Sequence, residues 1–392
     1  MTPTLKYGFI GCGMMGHEHL RNLALIPGSE VVAIVEPDAG MRSTAQTLAP
    51  QASFEPDITT LLARQDLDAL IITTPNYQHA GQLLEIFAHT RLPVLVEKPL
   101  CTDLQDVARL RAAAAQHPAP VWVAMEYRYM PPIAALREQL ARQALGEVKM
   151  LAIREHRFPF LEKVGDWNRF NRNTGGTLVE KCCHFFDLMR LLLDSESVRV
   201  FASGGVDVNH LDERYDGATP DILDNAYVIV DFADGKRALL DLCMFAEGSR
   251  YQEEISVTGS QAKLECFIPG PGRFWPEASL GAPPTPQLVL SPRDPKGPQV
   301  MDIPVDAALL AAGDHNGSTY YQHLGFRRAI LEQGKVEVSV DDGLRAVVIG
   351  MAAQAAIASG RAMRLTEAGF SFAEQVANRM ALPAESAIPH DN

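Results

Sequence analysis

Lys98 stands at the end of a short apolar run, Pro93-Val94-Leu95-Val96, where Glu97 precedes it and Pro99 closes the stretch. An ammonium group delivered by a strand end can hold a developing alkoxide by charge, or return a proton in the reverse direction. About eighty residues further on, Glu180, His184 and Asp187 are spaced four and three apart, so on a helix they form one polar stripe. A histidine with an ordinary pKa near ~6.5 suits a general base at neutral pH. A carboxylate beside it orients the ring and stabilises the protonated form. Lys98, His184 and Glu180 are thus equipped to take the proton of a secondary alcohol while its carbon gives up hydride. A metal held by Glu180, His184 and Asp187 is not expected, because this spacing matches no metal motif.

Hydride needs an acceptor, and the N-terminus supplies a place for one. Leu5 to Ile10 is apolar and leads into Gly11-Cys12-Gly13-Met14-Met15-Gly16. In a strand–turn–helix unit, Gly11 makes the tight turn, Gly13 lets backbone approach a pyrophosphate, and Gly16 lets helix pack on strand. The helix that begins at Met14 and Met15 aims unpaired N–H groups at the phosphates. Glu36 ends the second strand about twenty residues beyond the last glycine. A carboxylate there accepts hydrogen bonds from a ribose and repels a 2′-phosphate, which favours NAD over NADP; Arg42, a few residues on, weakens that preference. Thr74, Asn76 and His79 follow the third strand, and Glu97 and Lys98 end the fourth, on the side of an open α/β sheet that borders the ligand crevice.

Strand and helix patterns alternate through residues 1–125, with strands expected at Leu5–Ile10, Val31–Val35, Ala69–Thr73, Val94–Val96 and Val121–Ala124. This is an α/β, Rossmann-like domain. Residues 126–365 read as an α+β domain with a largely antiparallel open sheet. Helices are expected at Pro132–Gln143, Thr177–Leu193, Tyr320–Glu332 and Asp341–Ser359, and consecutive strand patterns run from Val148 to Phe267. Ile268 to Pro304 is rich in proline and glycine and reads as irregular surface loop with at most one short hairpin. Residues 366–392 form a terminal segment ending in a loose tail.

Taken together, Gly11 to His19, Thr74-Pro75-Asn76 with His79, and Glu97-Lys98-Pro99 resemble the Gfo/Idh/MocA family of glucose–fructose oxidoreductase and inositol dehydrogenase relatives. The resemblance covers about residues 1 to 360. It extends to Gly175-Gly176 leading into Glu180 and His184, and it implies that Lys98 and His184 act at a substrate hydroxyl while the acidic position shapes the site. Where the family usually has aspartate, this chain has the longer Glu180, and Cys182 stands where a small residue is usual. These departures bear on the substrate and leave the expected fold unchanged.

Five cations and three carboxylates lie between Arg154 and Arg172. Arg157, Lys163, Trp167, Arg169 and Arg172, with Lys181 on the catalytic helix, could bind a sugar carrying a carboxylate, sulfonate or phosphate. A charged surface loop anchored by one tryptophan explains the same residues. The expected activity is NAD-dependent oxidation of a secondary hydroxyl of a sugar, sugar acid or cyclitol. One alternative is an NAD-dependent glycosidase that oxidises its ring transiently, eliminates, adds water and is re-reduced; an anionic sugar such as a sulfoquinovoside would suit the arginines. Another is a sensor that binds NAD without turnover.

The bulk of the chain narrows the field. It has 392 residues, enough for two cores, with ordinary composition and a net charge of -13. That charge argues against a nucleic-acid partner, and no apolar run approaches the ~20 residues of a membrane span. Six cysteines in so long a chain form no disulfide scaffold. A cytoplasmic homo-oligomer is the expected form.

Overall fold

The structure is a computed structural model and describes residues 3–373, so most of the expected tail lies outside it. The first sheet contains β1 (Leu5–Ile10), β2 (Ser29–Val35), β3 (Ser53–Phe54), β4 (Ala69–Ile72), β5 (Val94–Glu97) and β6 (Val121–Ala124). All neighbours run parallel, in the order β3-β2-β1-β4-β5-β6. The crossovers are α1 (Met14–Ala24), α2 (Ala39–Leu48), α3 (Ile58–Leu62), α4 (Asn76–His89) and α5 (Gln105–Ala114). The order reverses between β1 and β4, which opens a crevice at the strands' C-terminal ends. Strands β4, β5 and β6 are buried along their whole length, which is why they read as unbroken apolar runs rather than alternating ones. β3 is two residues long and left no pattern to read.

The second half contains α6 (Pro131–Ala141), β7 (Val148–His156), α7 (Asn171–Thr174), α8 (Thr177–Glu180), α9 (Cys183–Leu193), β8 (Ser197–Gly205), β9 (Asn225–Phe232), β10 (Arg237–Cys243), β11 (Glu253–Gly259) and β12 (Ala262–Ile268). It continues with α10 (Glu277–Leu280), β13 (Gln287–Pro292), β14 (Gln299–Asp302), α11 (Ala307–Ala312), α12 (Ser318–Leu331), α13 (Val340–Ser359), β15 (Met363–Thr366) and β16 (Gly369–Phe372). The ten-stranded sheet has the order β14-β13-β12-β11-β7-β10-β9-β8-β15-β16. Only β7 and β10 pair in parallel. In β9 every second residue is buried, as expected of a sheet with one covered face. Residues 366–373, read from sequence as terminal segment, contribute β16 to this sheet. The proline-rich stretch holds the β13–β14 hairpin.

Three connections lock the halves together. Helices α11 and α12 return to pack on α1, and α13 touches α5 and β6 on one side and α8, α9 and β8 on the other. Ser339 caps α13 through a reciprocal capping box with Asp342. Gly350 lets α13 approach so closely that a Cβ there would lie 2.4 Å from the Leu178 carbonyl oxygen. Gln354 one turn later donates to the Gly175 carbonyl at 2.8 Å, bracing the Gly175-Gly176 turn that leads into α8.

The expected single helix Thr177–Leu193 is broken. Its two parts meet at Lys181 and Cys182, where the Cys182 N–H reaches back to the Thr177 carbonyl at 3.4 Å. This wide turn changes the helix phase, so Glu180, His184 and Asp187 no longer share one stripe. Asp187 is held instead by the guanidinium fork of Arg128, just beyond β6, in a fully buried ion pair. Removing one partner of such a pair strands the other charge, at a cost of about 3–5 kcal/mol. Arg128→Leu should therefore lower the urea midpoint by an amount equivalent to about 3–5 kcal/mol, and a loss below about 1 kcal/mol would show that the pair is not what joins β6 to α9.

Candidate active site

The β1–α1 turn has the geometry a dinucleotide needs. Gly11 sits at φ +77°, with the Thr74 backbone 2.9 Å from where a Cβ would be. At Gly16 a Cβ would meet Thr73 Oγ1 at 2.8 Å, whereas over Gly13 nothing lies within 4 Å. The three glycines thus divide into turn, open approach and helix packing. No side chain caps α1 at Gly13 and its first turn carries no acid, so Met14 and Met15 lead an N-terminus open to an anion.

Glu36 accepts the Cys12 N–H at 2.6 Å and the Asp38 N–H at 2.8 Å, which fixes its carboxylate at the end of β2 with lone pairs to spare. Arg42 is turned away from ligand space, donating from Nη2 to the Glu36 carbonyl at 2.7 Å. Glu36, Thr74, Asn76 and Lys98 line a groove of about 840 Å³ that starts at Gly11 and Gly13. Asn76 Nδ2 is buried there without a partner. An open approach over Gly13, an uncapped helix and an orphaned amide are what a bound dinucleotide would complete, and the residues present fit it.

Two of the expected cofactor residues act indirectly. His79 is fully buried, with Nδ1 2.8 Å from the Pro99 carbonyl and Nε2 2.9 Å from the Thr74 carbonyl. It ties two crevice loops together rather than offering a free nitrogen. Glu97 Oε1 lies 2.9 Å from His19 Nε2, and His19 Nδ1 lies 2.7 Å from His323. Burial raises the Glu97 pKa, but the hydrogen bond and charge of His19, with Lys98, bring it below the usual carboxylate range.

Lys98 Nζ donates to the Glu180 carbonyl at 3.0 Å, an acceptor at the last residue of α8, where the helix breaks. Burial alone would lower the Lys98 pKa; the acidic groups around it, Glu97, Glu126 and Glu180 among them, outweigh burial and raise it. At neutral pH it is a cation. His184 is buried, with Nε2 3.5 Å from Glu126 Oε1, and its ring stacks on Tyr127 at 4.2 Å and 7°. Burial and the cations Lys98, Lys181 and His315 push its pKa well below the ordinary value, leaving a neutral imidazole free to accept a proton. Glu180 is buried too, its Oε2 unpartnered, and burial raises its pKa against the pull of Lys163 and Lys98.

Beside this cluster lies a second cavity of about 770 Å³. Its walls include Arg157, Phe158, Phe160 and His315, with prolines 269, 271, 283, 284 and 286 from the stretch read as surface loop. That stretch forms a wall of the cavity. The groove and the cavity share Met14, Met15, Lys98, Lys163 and Glu180.

The substrate residues expected from sequence separate into two groups. Arg157, Lys163 and Lys181 line the cavity. Lys181 lies at its floor, donating to the Tyr127 hydroxyl and 3.0 Å from Glu155. Trp167 lies elsewhere, edge-on to Tyr77 at 6.2 Å along the cofactor groove. Arg169 is buried against Glu213 at 2.9 Å, and exposed Arg172 stacks on Phe170 at 4.0 Å. Neither arginine lines the groove or the cavity; their partners lie in the chain itself. The sequence reading missed Glu126 and Tyr127, although both follow β6 at the ligand-bearing end of the sheet. It also missed the Glu18–His315 pair at 2.8 Å, which joins α1 to the loop before α12 and has no local sequence signal.

Comparison with known proteins agrees with this architecture. The oxidoreductase family's NAD-binding Rossmann fold model, Gfo/Idh/MocA, matches residues 5–125, and its C-terminal alpha/beta domain model matches residues 137–365. Inositol 2-dehydrogenase of Rhizobium meliloti (strain 1021) is 28% identical over 262 residues, covering 67% of this chain and 75% of its own. The 2,7-anhydro-N-acetylneuraminate hydratase of Mediterraneibacter gnavus is 25% identical over 240 residues, 61% of each chain. An oxidoreductase from Agrobacterium radiobacter, solved in complex with NAD+, L-tartaric acid and magnesium, shares the fold with a TM-score of 0.73 at 19% identity, over 92% of this chain and 98% of its own. With both domain models matched along most of its length, the chain belongs to the NAD-binding Gfo/Idh/MocA oxidoreductase family.

Proposed function

We propose that this protein oxidises a secondary hydroxyl of a sugar, sugar acid or cyclitol, with Lys98 and His184 acting at that hydroxyl. One observation carries the reading: the dinucleotide groove and the second cavity meet at Lys98 and Glu180, so a substrate in the cavity would present its carbon at the end of the groove. When bound, NAD supplies the hydride acceptor. Lys98 holds the oxygen by charge as its proton leaves, and neutral His184 takes that proton. Glu180 borders both spaces and limits how the ring can lie. The inositol dehydrogenase relative is consistent with a polyhydroxylated ring as substrate.

Arg157 and Lys163 suit a substrate with an anionic substituent. Arg157 stacks on Phe158 at 4.2 Å and reaches Glu155 only at 3.6 Å, so its fork keeps donors for a ligand. Lys181, tied to Glu155 and Tyr127, belongs to the floor.

That floor favours a second reading, the redox-neutral one. Glu155 and Glu253 face each other across β7 and β11, both buried, with Lys181 between Glu155 and the Tyr127 hydroxyl. Lys181 and Tyr127 line the cavity with Glu155 and Glu253 buried behind them, and such a cluster could remove a C–H proton beside a transient ketone, as elimination of a glycoside requires. The hydratase relative keeps that chemistry within view. We place the protein in the cytoplasm as a homo-oligomer associating through the bare face of the large sheet, where Met150, Tyr227 and Ile229 are 53%, 61% and 45% exposed.

A panel of sugars, inositols, sugar acids and aryl glycosides separates the readings. Net dehydrogenation accumulates reduced cofactor with turnover; the redox-neutral route releases aglycone with none. Lys98→Met should cut either turnover by about a hundredfold or more while NAD still binds; unchanged turnover removes Lys98 from the chemistry. Ile229→Asp should convert the oligomer to monomer in light scattering, and an unshifted mass moves the interface elsewhere.

A further inference from the structure

We infer that Glu126 is the positioning partner of His184, a buried carboxyl just beyond β6 that steadies the imidazole and balances the charge it gains with the substrate's proton. This rests on the proposed role of His184 at the hydroxyl. Glu126 is 1% exposed, and neither of its oxygens has a hydrogen-bond partner. Its Oε1 lies 3.5 Å from His184 Nε2. A buried carboxyl left without donors is costly unless a charge or proton is provided beside it. His184 becomes that charge whenever it accepts a proton.

The three residues after Met125 act on α9 in sequence. Glu126 meets the edge of the His184 ring, Tyr127 stacks on its face, and Arg128 forks onto Asp187 one turn further along. Tyr127 also packs edge-on to Phe185 at 5.7 Å. A backbone held at Arg128 and a ring held at Tyr127 give Glu126 little freedom to leave. Glu180, the carboxyl expected beside the histidine, faces Lys163 and Lys98 instead, because the helix breaks between the two.

The surroundings poise the pair. Burial and nearby Glu97 raise the Glu126 pKa to about 7, against His315 and Lys98, which lower it. Around His184, burial acts first, and Lys98 from β5, Lys181 from the break after α8, His315 from the loop before α12 and Arg157 from beyond β7 all disfavour the imidazolium. Burial also lowers His315, but the Glu18 carboxylate raises it to about 9, so it stays charged at neutral pH. In the forward step the alcohol O–H proton passes to His184 Nε2, and the imidazolium so formed is balanced by the Glu126 carboxylate 3.5 Å away. NAD, when bound, would accept the hydride from the carbinol carbon as its C–O bond becomes a carbonyl. Above about pH 7 Glu126 is ionised and strengthens the base; below it, the protonated carboxyl withdraws that support.

The test reads the pair directly, in full-length protein without substrate. Ring resonances of labelled histidine, with His184 assigned by its loss in His184→Asn, should shift through a midpoint near pH 7 in the native protein. Glu126→Gln should abolish that inflection, and Glu126→Asp should restore it. Reciprocally, the Glu126 carboxyl band, identified in the infrared by Glu126→Gln, should move its titration midpoint in His184→Asn. That second measurement decides the matter should Glu126→Gln fail to fold. A His184 titration indifferent to Glu126, or a Glu126 band indifferent to His184, overturns the assignment. Where a substrate from the panel turns over, Glu126→Gln should flatten the acid limb of kcat and lower its plateau at least about tenfold, with NAD affinity unchanged. Absence of turnover with the whole panel would count against the proposed oxidation while leaving the spectroscopic result to stand on its own.

Discussion

Everything at the junction of groove and cavity depends on keeping one half-buried ammonium charged. Lys98 is half-buried, and burial by itself lowers a lysine's pKa. It stays a cation because Glu97, Glu126 and Glu180 converge on it from three parts of the chain, and because the Glu180 carbonyl at the helix break accepts its hydrogen bond. The same positive field bears on His184, whose protonation it opposes. Cation and neutral base are therefore not two separate adjustments. Holding Lys98 charged is part of what leaves His184 ready to accept a proton.

That arrangement requires both halves of the molecule to be rigid with respect to each other. Lys98 and Glu126 end strands of the first sheet, whereas Glu180 and His184 belong to short helices of the second half. The distances hold because α13 lies against both, with Gly350 on the Leu178 carbonyl and Gln354 on the Gly175 carbonyl. Arg128 and Asp187 pin β6 to α9 across the same seam. These groups lie at a seam braced from both sides, which suits chemistry that tolerates little misplacement.

What could be read from sequence was whatever is encoded locally. The strands of the first sheet, the division of labour among Gly11, Gly13 and Gly16, and the place of Glu36 and Lys98 follow from hydrophobic patterning and turn chemistry within a few residues. The expected single stripe assumed an unbroken helix: Glu180 and His184 both line the cavity, whereas Asp187 pairs with Arg128, and a break made by one wide turn leaves no clear composition signal. Arg169 and Arg172 look like ligand-binding arginines in one dimension; their partners, Glu213 and Phe170, explain them in three. The Pro-rich stretch was legible as irregular backbone but not as a cavity wall, because its position depends on where the large sheet places its edge. Glu126 was missed for the same reason, since its meaning comes from His184, nearly sixty residues away in the chain.

The relatives divide along a line the structure makes physical. Dehydrogenation needs one proton acceptor at one oxygen, which Lys98 and His184 can provide alone. An elimination or hydration needs a second proton moved at a neighbouring carbon, and the group that moves it must not compete with the first. Here the Tyr127 ring lies flat between the two: one face covers His184, and its hydroxyl points to Lys181 and the Glu155–Glu253 pair. Burial lowers the Lys181 pKa against the pull of Glu155, and burial with nearby Glu155 raises Glu253 to about 8. An aromatic spacer separates His184 from Lys181 on the cavity wall, with Glu155 and Glu253 buried behind them. Burying two glutamates opposite each other is costly, and Lys181, 3.0 Å from Glu155, is what offsets that cost here.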